Sequence, residues 1–424
     1  MTDKPSGTAA VDFALDSEQQ SLSSAVSAYR NRLRGGELGS LPALLAIAVL
    51  VLLFGAARPD TFIGVRNFAA LLSQGASIVM ISAAVSFVLL LGEIDLAAGF
   101  SAGVVAAVLA TQLNDDRPLP LVILITLVVA ILLGLFTGFL VAKVGIPSFV
   151  VTLPNFLSFQ GIVLLITTEG GSVRIENETI TAIDAGNMSI AFGWGLAVIL
   201  VGAYAYAMIQ RQRTSSGTVS MAVAVAHIAA IAIGAAVVVG MLSGNRAFPT
   251  ARPIPGVPWV VPIVLIVLVG LTFALNRTAW GRHIFAVGGN AEAARRAGIN
   301  VARIRMSAFV ACAVVAGLGG YLIASRQGGA NPQIGGGDTL LLAVGAAVIG
   351  GTSLFGGRGR LVNAVLGGAV LAIINNGLPL VGEASPFGLG EIDFSKSGIK
   401  FIVDGLVLLL AASVDALSRQ KTGK

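Results

Sequence analysis

The stretch LPLVILITLVVAILLGLFTGFLVAK, residues 119–143, carries no charge before its terminal Lys143 and decides the fold class. Roughly 20 mostly apolar residues in a helix cross the hydrocarbon layer of a bilayer. The run is continuous rather than alternating, which excludes a strand of a membrane β-barrel. Gly134 and Gly138 stand four apart within it, a spacing that lets another helix backbone approach closely in lipid.

Working outward, similar runs lie near 41–57, 74–92, 98–113, 147–167, 189–209, 219–243, 258–276, 306–325, 338–354, 361–378 and 398–416. The chain therefore reads as all-α, a polytopic membrane protein of about 12 transmembrane helices, some of them short or broken. Composition agrees: 55% of the 424 residues are hydrophobic and 11% charged, more apolar surface than one soluble core hides. Further small residues, Gly317 with Gly319 and Gly320 and Gly367 with Gly368, mark the same kind of packing seam.

Charge sets the orientation. With both termini cytoplasmic, alternate loops place 18 of the 27 Lys and Arg inside and 9 outside, as the positive-inside rule requires. The inner set includes Arg30, Arg32, Arg34, Arg211, Arg213, Arg358, Arg360, Arg419, Lys421 and Lys424. Asp115, Asp116, Glu169, Glu176, Glu178 and Asp184 fall outside. The net charge of +6 is thus a topological signal, and no basic face with stacking aromatics points to nucleic acid.

Residues 1–40 read as a cytoplasmic extension, partly an amphipathic helix through ALDSEQQSLSSAVSAYRNRL, without a signal-peptide pattern. Residues 41–416 read as the transmembrane domain, 277–305 as a cytoplasmic loop within it, and 417–424 as a cytoplasmic tail. Cys312 is the single cysteine, so no internal disulfide forms, and His227 and His283 sit in no ligand cluster. No metal or cofactor is expected.

GEIDLAAGFSAGVVAAVLA (92–110) and GGTSLFGGRGRLVNAVLGGAVLA (350–372) share a plan: a span ends, a Gly-rich break follows, and a small-residue span begins. Duplicated halves are common in transporters. Pro147 and Pro154 predict a kinked or discontinuous helix, and broken backbone at membrane depth needs protein or water around it. Glu93, Asp95, Asn155, Asn375 and Asn376 are candidates for a hydrated solute path, with Asp404 either a further one or a partner of Lys400. No nucleotide loop GxxxxGK[ST] is present, because only Lys396 and Lys421 precede Ser or Thr and neither follows Gly. Energy for transport must come from an ion gradient or another subunit.

The segment GRHIFAVGGNAEAARRAGINVARIRM (281–306) is polar between greasy neighbours. Asn290 is a good N-cap, Glu292 suits the positive end of a helix dipole, Arg295 and Arg296 suit its negative end, and Gly298 is a helix stop. The result is a helix of about two turns, marginal alone in water, that needs a groove to lie in. Ala291, Ala293, Ala294 and Ala297 permit close approach.

TAWGRHIFAVGGNAEAARRAGINVARIRM, VIGGTSLFGGRGRLVNAVLGGAVL and the upstream GEIDLAAG resemble the permease subunit of bacterial ABC importers for monosaccharides, the ribose and xylose type, over residues 40–416. The resemblance implies that Gly288, Gly289, Asn290, Glu292, Ala293, Ala294, Arg295, Arg296 and Gly298 belong to the element that docks on the ATP-binding subunit. It also implies a homodimer, two ATPase subunits, a periplasmic or lipid-anchored sugar-binding protein, an inner-membrane location, and hydrolysis by the partner rather than by this chain. Residues 168–257 look like the stretch by which xylose permeases exceed the ribose type, which favours xylose. GEIDLAAG departs from the commoner family pattern, since Glu93 stands where a second glycine is usual. The alternative is an ion-coupled secondary sugar transporter with Glu93, Asp95 or Asp404 as proton relay.

Overall fold

The structure, a computed structural model, describes residues 39–167, 171–214, 221–247, 253–382 and 393–422, without side chains at 211–214 and 414–422. The N-terminal extension to residue 38, with Arg30, Arg32 and Arg34, and Glu169 lie outside the described residues. So do the side chains of Arg211, Arg213, Arg419, Lys421 and Lys424.

Each apolar run contains a helix. In chain order these are α1 (Leu41–Ala57), α3 (Val65–Leu89), α4 (Ala98–Asn114), α5 (Leu119–Phe139), α6 (Ser148–Thr167), α8 (Ile190–Thr214), α9 (Met221–Leu242), α10 (Val260–Arg277), α13 (Val301–Gln327), α14 (Gly337–Ile349), α15 (Leu361–Val381) and α16 (Ser397–Thr422). Among the described residues, α3, α5 with its π-helical extension Leu140–Val144, α6, α8, α9, α10, α13 and α15 are long and apolar enough to cross a membrane; α1, α4 and α14 are shorter apolar helices. Short helices connect them: α2 (Pro59–Phe62), α7 (Glu178–Ala185), α11 (Ala279–Gly289) and α12 (Ala291–Arg296). One two-stranded antiparallel pairing joins β1 (Val173–Arg174) to β2 (Gly329–Ala330).

The helices differ from the sequence reading at three places. Spans α3 and α13 begin several residues earlier, at Val65 and Val301, because helix continues through polar turns that hydropathy leaves out. Helix α14 stops at Ile349, where Gly350 and Gly351 turn the chain. The interruption expected around Pro147 and Pro154 falls at Gly145–Pro147, between the π-helical end of α5 and the start of α6, while Pro154 sits inside α6, where it removes a single bond, the one to the carbonyl four residues back.

Residues 191–239, the bulk of α8 and α9, fall in a separate compact unit. Val198, Ile199, Tyr206, Ile233 and Val237 of this unit are exposed apolar side chains of the kind that face lipid.

In the larger unit α13 is the central rod, packed on α3, α4 and α5. Helix α5 shows how sequence achieves this. It buries Val122, Thr126, Ala130, Gly134 and Gly138, one residue every four, and exposes Leu124, Leu132, Phe136 and Phe139 on the opposite side. Small residues face protein and large ones face outward, because lipid solvates large apolar groups as well as a core does. A Cβ on Gly134 would lie 2.6 Å from Val310 Cα, and one on Gly138 3.0 Å from Met306 Cα. Thr126 and the Tyr321 hydroxyl share a hydrogen bond of 2.6 Å across the same seam. Gly134→Ala is expected to cost about 1–3 kcal/mol by overpacking, read as a lowered unfolding midpoint in detergent. Gly161→Ala, with open space around its Cβ position, is the control that should not move.

The two Gly-rich breaks occupy equivalent places: Leu90–Ala97 joins α3 to α4, and Gly350–Arg360 joins α14 to α15. They meet. The Gly357 amide donates to the Leu90 carbonyl at 2.8 Å, and the Gly92 Cβ position lies 3.2 Å from the Phe355 carbonyl oxygen.

Candidate functional site

The polar segment after α10 is built by three local caps. Thr278 Oγ1 accepts from the Gly281 amide at 3.2 Å and starts α11. Asn290 Oδ1 accepts from the Ala293 amide at 2.9 Å and starts α12. Asn300 Oδ1 accepts from the Arg303 amide at 3.0 Å and starts α13. Each satisfies an amide that a helix start would leave without partner.

Helix α11 turns Gly281, Ile284 and Val287 into the core. Trp280 anchors it: the indole donates to Ser307 Oγ at 2.8 Å and packs on Phe87 with ring centroids 5.5 Å apart.

Helix α12 ends in a Schellman turn. The Gly298 amide donates to the Arg295 carbonyl and the Ile299 amide to the Ala294 carbonyl, both at 3.0 Å, with Gly298 at φ +83°. Ala294 is buried against the chain's own core. Glu292, Ala293, Arg295, Arg296, Ala297 and Gly298 are exposed. Glu292 pairs with Arg295 at 2.6 Å and with Arg296 at 3.3 Å, so all three charges lie together on the exposed surface.

The loop is seated on both breaks at once. Where α11 ends, a Cβ on Gly288 would fall 1.8 Å from the Leu90 carbonyl oxygen and 2.9 Å from the Gly357 amide. Gly288 thus closes a node made of the α3–α4 break, the α14–α15 break and the end of α11. Gly289, one residue on, is exposed, with nothing within 4 Å of its Cβ position.

The five candidate path residues are distributed differently. Glu93 forms an ion pair with Arg305 of α13 at 3.1 Å. Asp95 accepts from the Ala97 amide at 2.9 Å and from the Cys312 thiol at 3.6 Å, again on α13. Asn155 donates to Thr137 Oγ1 at 3.0 Å, tying α6 to α5. Asn375 donates to the Leu371 carbonyl at 2.9 Å and to Asp404 of α16 at 3.4 Å. The Asn376 side-chain oxygen is buried without a hydrogen-bond partner among the described residues. Glu93 and Asp95 are therefore brought to one helix, while the asparagines serve other seams. Arg305, Trp280 and Ser307 were missed as partners. Arg305 and Trp280 stand in the quoted motif, but nothing in their own spacing names the distant residue each one meets.

Among the described residues no group of His, Cys, Asp and Glu could hold a metal ion.

Residues 67–412 match the family described as branched-chain amino acid transport system / permease component. The chain belongs to this permease family. The permease is 32% identical to the xylose transport system permease protein of Escherichia coli K12, over 89% of this chain and 92% of that one. It is 30% identical to the corresponding protein of Haemophilus influenzae, over 89% and 96%, and 28% identical to the ribose import permease protein of Escherichia coli K12, over 88% and 92%. No solved structure matches it. With eight helices able to cross, the permease is a multi-pass protein of the inner membrane, and a transport subunit rather than an enzyme.

Proposed function

We propose that this permease is the membrane subunit of an ATP-driven importer that moves a monosaccharide, xylose first among candidates, by alternating access. The observation that carries this is α12: a short, sharply capped helix with an exposed charged surface, fixed by Gly288 to the two breaks that interrupt the transmembrane bundle. A helix this short is held by what surrounds it, and its outer surface is left for a partner in water. The partner is an ATP-binding cassette ATPase subunit gripping the segment Gly288–Gly298. Residues 277–305 are then the cytoplasmic coupling loop, and both termini share its side of the membrane. Two copies of the chain form the path between them, with a loaded sugar-binding protein docking on the opposite face.

The named activities of the similar xylose and ribose permeases support a pentose, and identity is higher to the former. Glu93 is paired with Arg305, which removes one of the three carboxylates an ion-coupled carrier would use; the side-chain hydrogen bonds of the other two, Asp95 and Asp404, come from the neutral Cys312 and Asn375.

The test is purification of the tagged chain from its own host in mild detergent, followed by reconstitution with its binding protein. Co-purifying ATP hydrolysis, stimulated by xylose-loaded binding protein more than by the ribose-loaded form, is the expected result. Sugar uptake by the chain alone that collapses with the ion gradient would sink the proposal.

A further inference from the structure

Glu93 and Asp95 both lie in the short α3–α4 break, yet they grip the same helix at two levels. Glu93 meets Arg305 at 3.1 Å and Asp95 meets Cys312 at 3.6 Å. Positions 305 and 312 are about two turns apart on one face of α13. The residue between the two acids is tied the other way: the Ile94 amide donates to Ser148 Oγ at 3.1 Å, and Thr152 donates to the Ile94 carbonyl at 3.3 Å, both on α6. The break is thus held between α13 and α6 by alternating residues.

Arg305 stands in the second turn of α13, and α13 follows α12 through only Ala297–Asn300. On its C-terminal side, a displacement of α12 enters α13 at the turns that carry Arg305. The pair is also sheltered. The Glu93 side chain is 13% exposed and that of Arg305 32%, against 56% and 65% for Glu292 and Arg295 on the outer surface of α12. Screening weakens the exposed pairs more than the sheltered one, which is an ion pair by proximity: Arg305 Nε lies close to the Glu93 carboxylate but makes no hydrogen bond among the described residues.

We propose that the Glu93–Arg305 ion pair is the strut that carries movement of the α12 segment to the α3–α4 break, making both residues positioning residues for transport. The proposal rests on the docking role given to α12 above. It assigns to Glu93 a mechanical role in place of the solute contact its position in GEIDLAAG suggested. The Gly288 contact seats the loop on the break from one side, and the ion pair binds the break to the rod that follows the loop.

The test separates transmission from simple stability. Removing one partner leaves an uncompensated charge, whereas Glu93→Gln with Arg305→Gln keeps the Glu93 outline and the three-carbon stem of Arg305 and leaves none. In the reconstituted importer, the doubly neutral variant is expected to retain its ATPase on purification while sugar moved per ATP hydrolysed falls about tenfold or more, the loss expected when a sheltered charge coupling is removed. Exchanging the charges, Glu93→Arg with Arg305→Glu, is expected to recover at least half of the parental ratio. A doubly neutral variant that transports at the parental ratio overturns the proposal, as does an exchanged pair that assembles without recovery. If the exchanged pair does not assemble, the neutral pair alone decides. Loss of ATPase from the unaltered chain would overturn the docking role of α12 instead, a separate and earlier failure.

Discussion

Gly298→Pro is expected to abolish coupled transport, with a fall of about a hundredfold or more, while the chain still inserts and purifies. The reason is local and twofold. Gly298 holds φ +83°, and proline is fixed near −65°, so the left-handed turn that ends α12 cannot form. The substitution also removes the amide that donates to the Arg295 carbonyl, one of the two bonds of the Schellman turn. With the turn lost, Ile299 no longer returns to the core and α12 loses its fixed angle to α13. A hundredfold loss corresponds to about 2.7 kcal/mol, within the range for a proline forced into an incompatible conformation. The transmembrane helices contribute nothing to this turn, which is why insertion survives. Gly298→Ala separates strain from geometry. Nothing lies within 4 Å of its Cβ position, so alanine meets only the cost of a positive φ, about 1 kcal/mol, and transport should fall modestly. Parental transport by Gly298→Pro would show that α12 is a connector.

That prediction could be written from sequence because caps are short-range. Asn290, Glu292 and Gly298 act on amides or charges within four residues, and the structure places the Asn290 cap and the Gly298 stop as the motif suggests, while the caps at Thr278 and Asn300 went unread. The twelve apolar runs were legible for the same reason, since a span's hydropathy is a property of consecutive residues. Of the two prolines, Pro147 marks the interruption before α6 and Pro154 sits within the helix, because a proline weakens a helix without obliging it to break. The role of Glu93 was not legible at all. Its partner Arg305 lies on a helix far along the chain, and only the packing of α13 against the α3–α4 break brings them together. The two Gly-rich breaks were recognised as alike from sequence, but not that they touch. Contact between them depends on Gly92 and Gly356 lacking side chains, and an absent side chain leaves no trace in a hydropathy pattern.

Gly288→Ala should be one of the two most damaging single methyl groups in residues 277–305, with Gly281→Ala, whose Cβ would fall 1.8 Å from the Leu275 carbonyl oxygen. Its Cβ would sit 1.8 Å from the Leu90 carbonyl oxygen and 2.9 Å from both the Leu90 carbonyl carbon and the Gly357 amide nitrogen. All three are backbone atoms, and none can swing aside as a long side chain would. Relief requires α11 to lift from the break, and lifting it pulls on Ile284 and Val287, which are fully or nearly buried, and on the Trp280 indole bonded to Ser307. Alternatively the α3–α4 break retreats and strains the 2.8 Å bond from the Gly357 amide to the Leu90 carbonyl. Either route is expected to cost about 3 kcal/mol or more, the upper range for overpacking a filled site. The expected readout is a chain with sharply reduced yield in the membrane and a lowered unfolding midpoint in detergent. Gly289→Ala supplies the comparison, because that neighbour is exposed with nothing within 4 Å of its Cβ position and should behave as the parent does. Equal behaviour of the two variants would mean that α11 does not rest on the break. The coupling segment would then have no rigid seat from which to move the bundle, and both the Gly298 and the Glu93–Arg305 arguments would lose their mechanical footing.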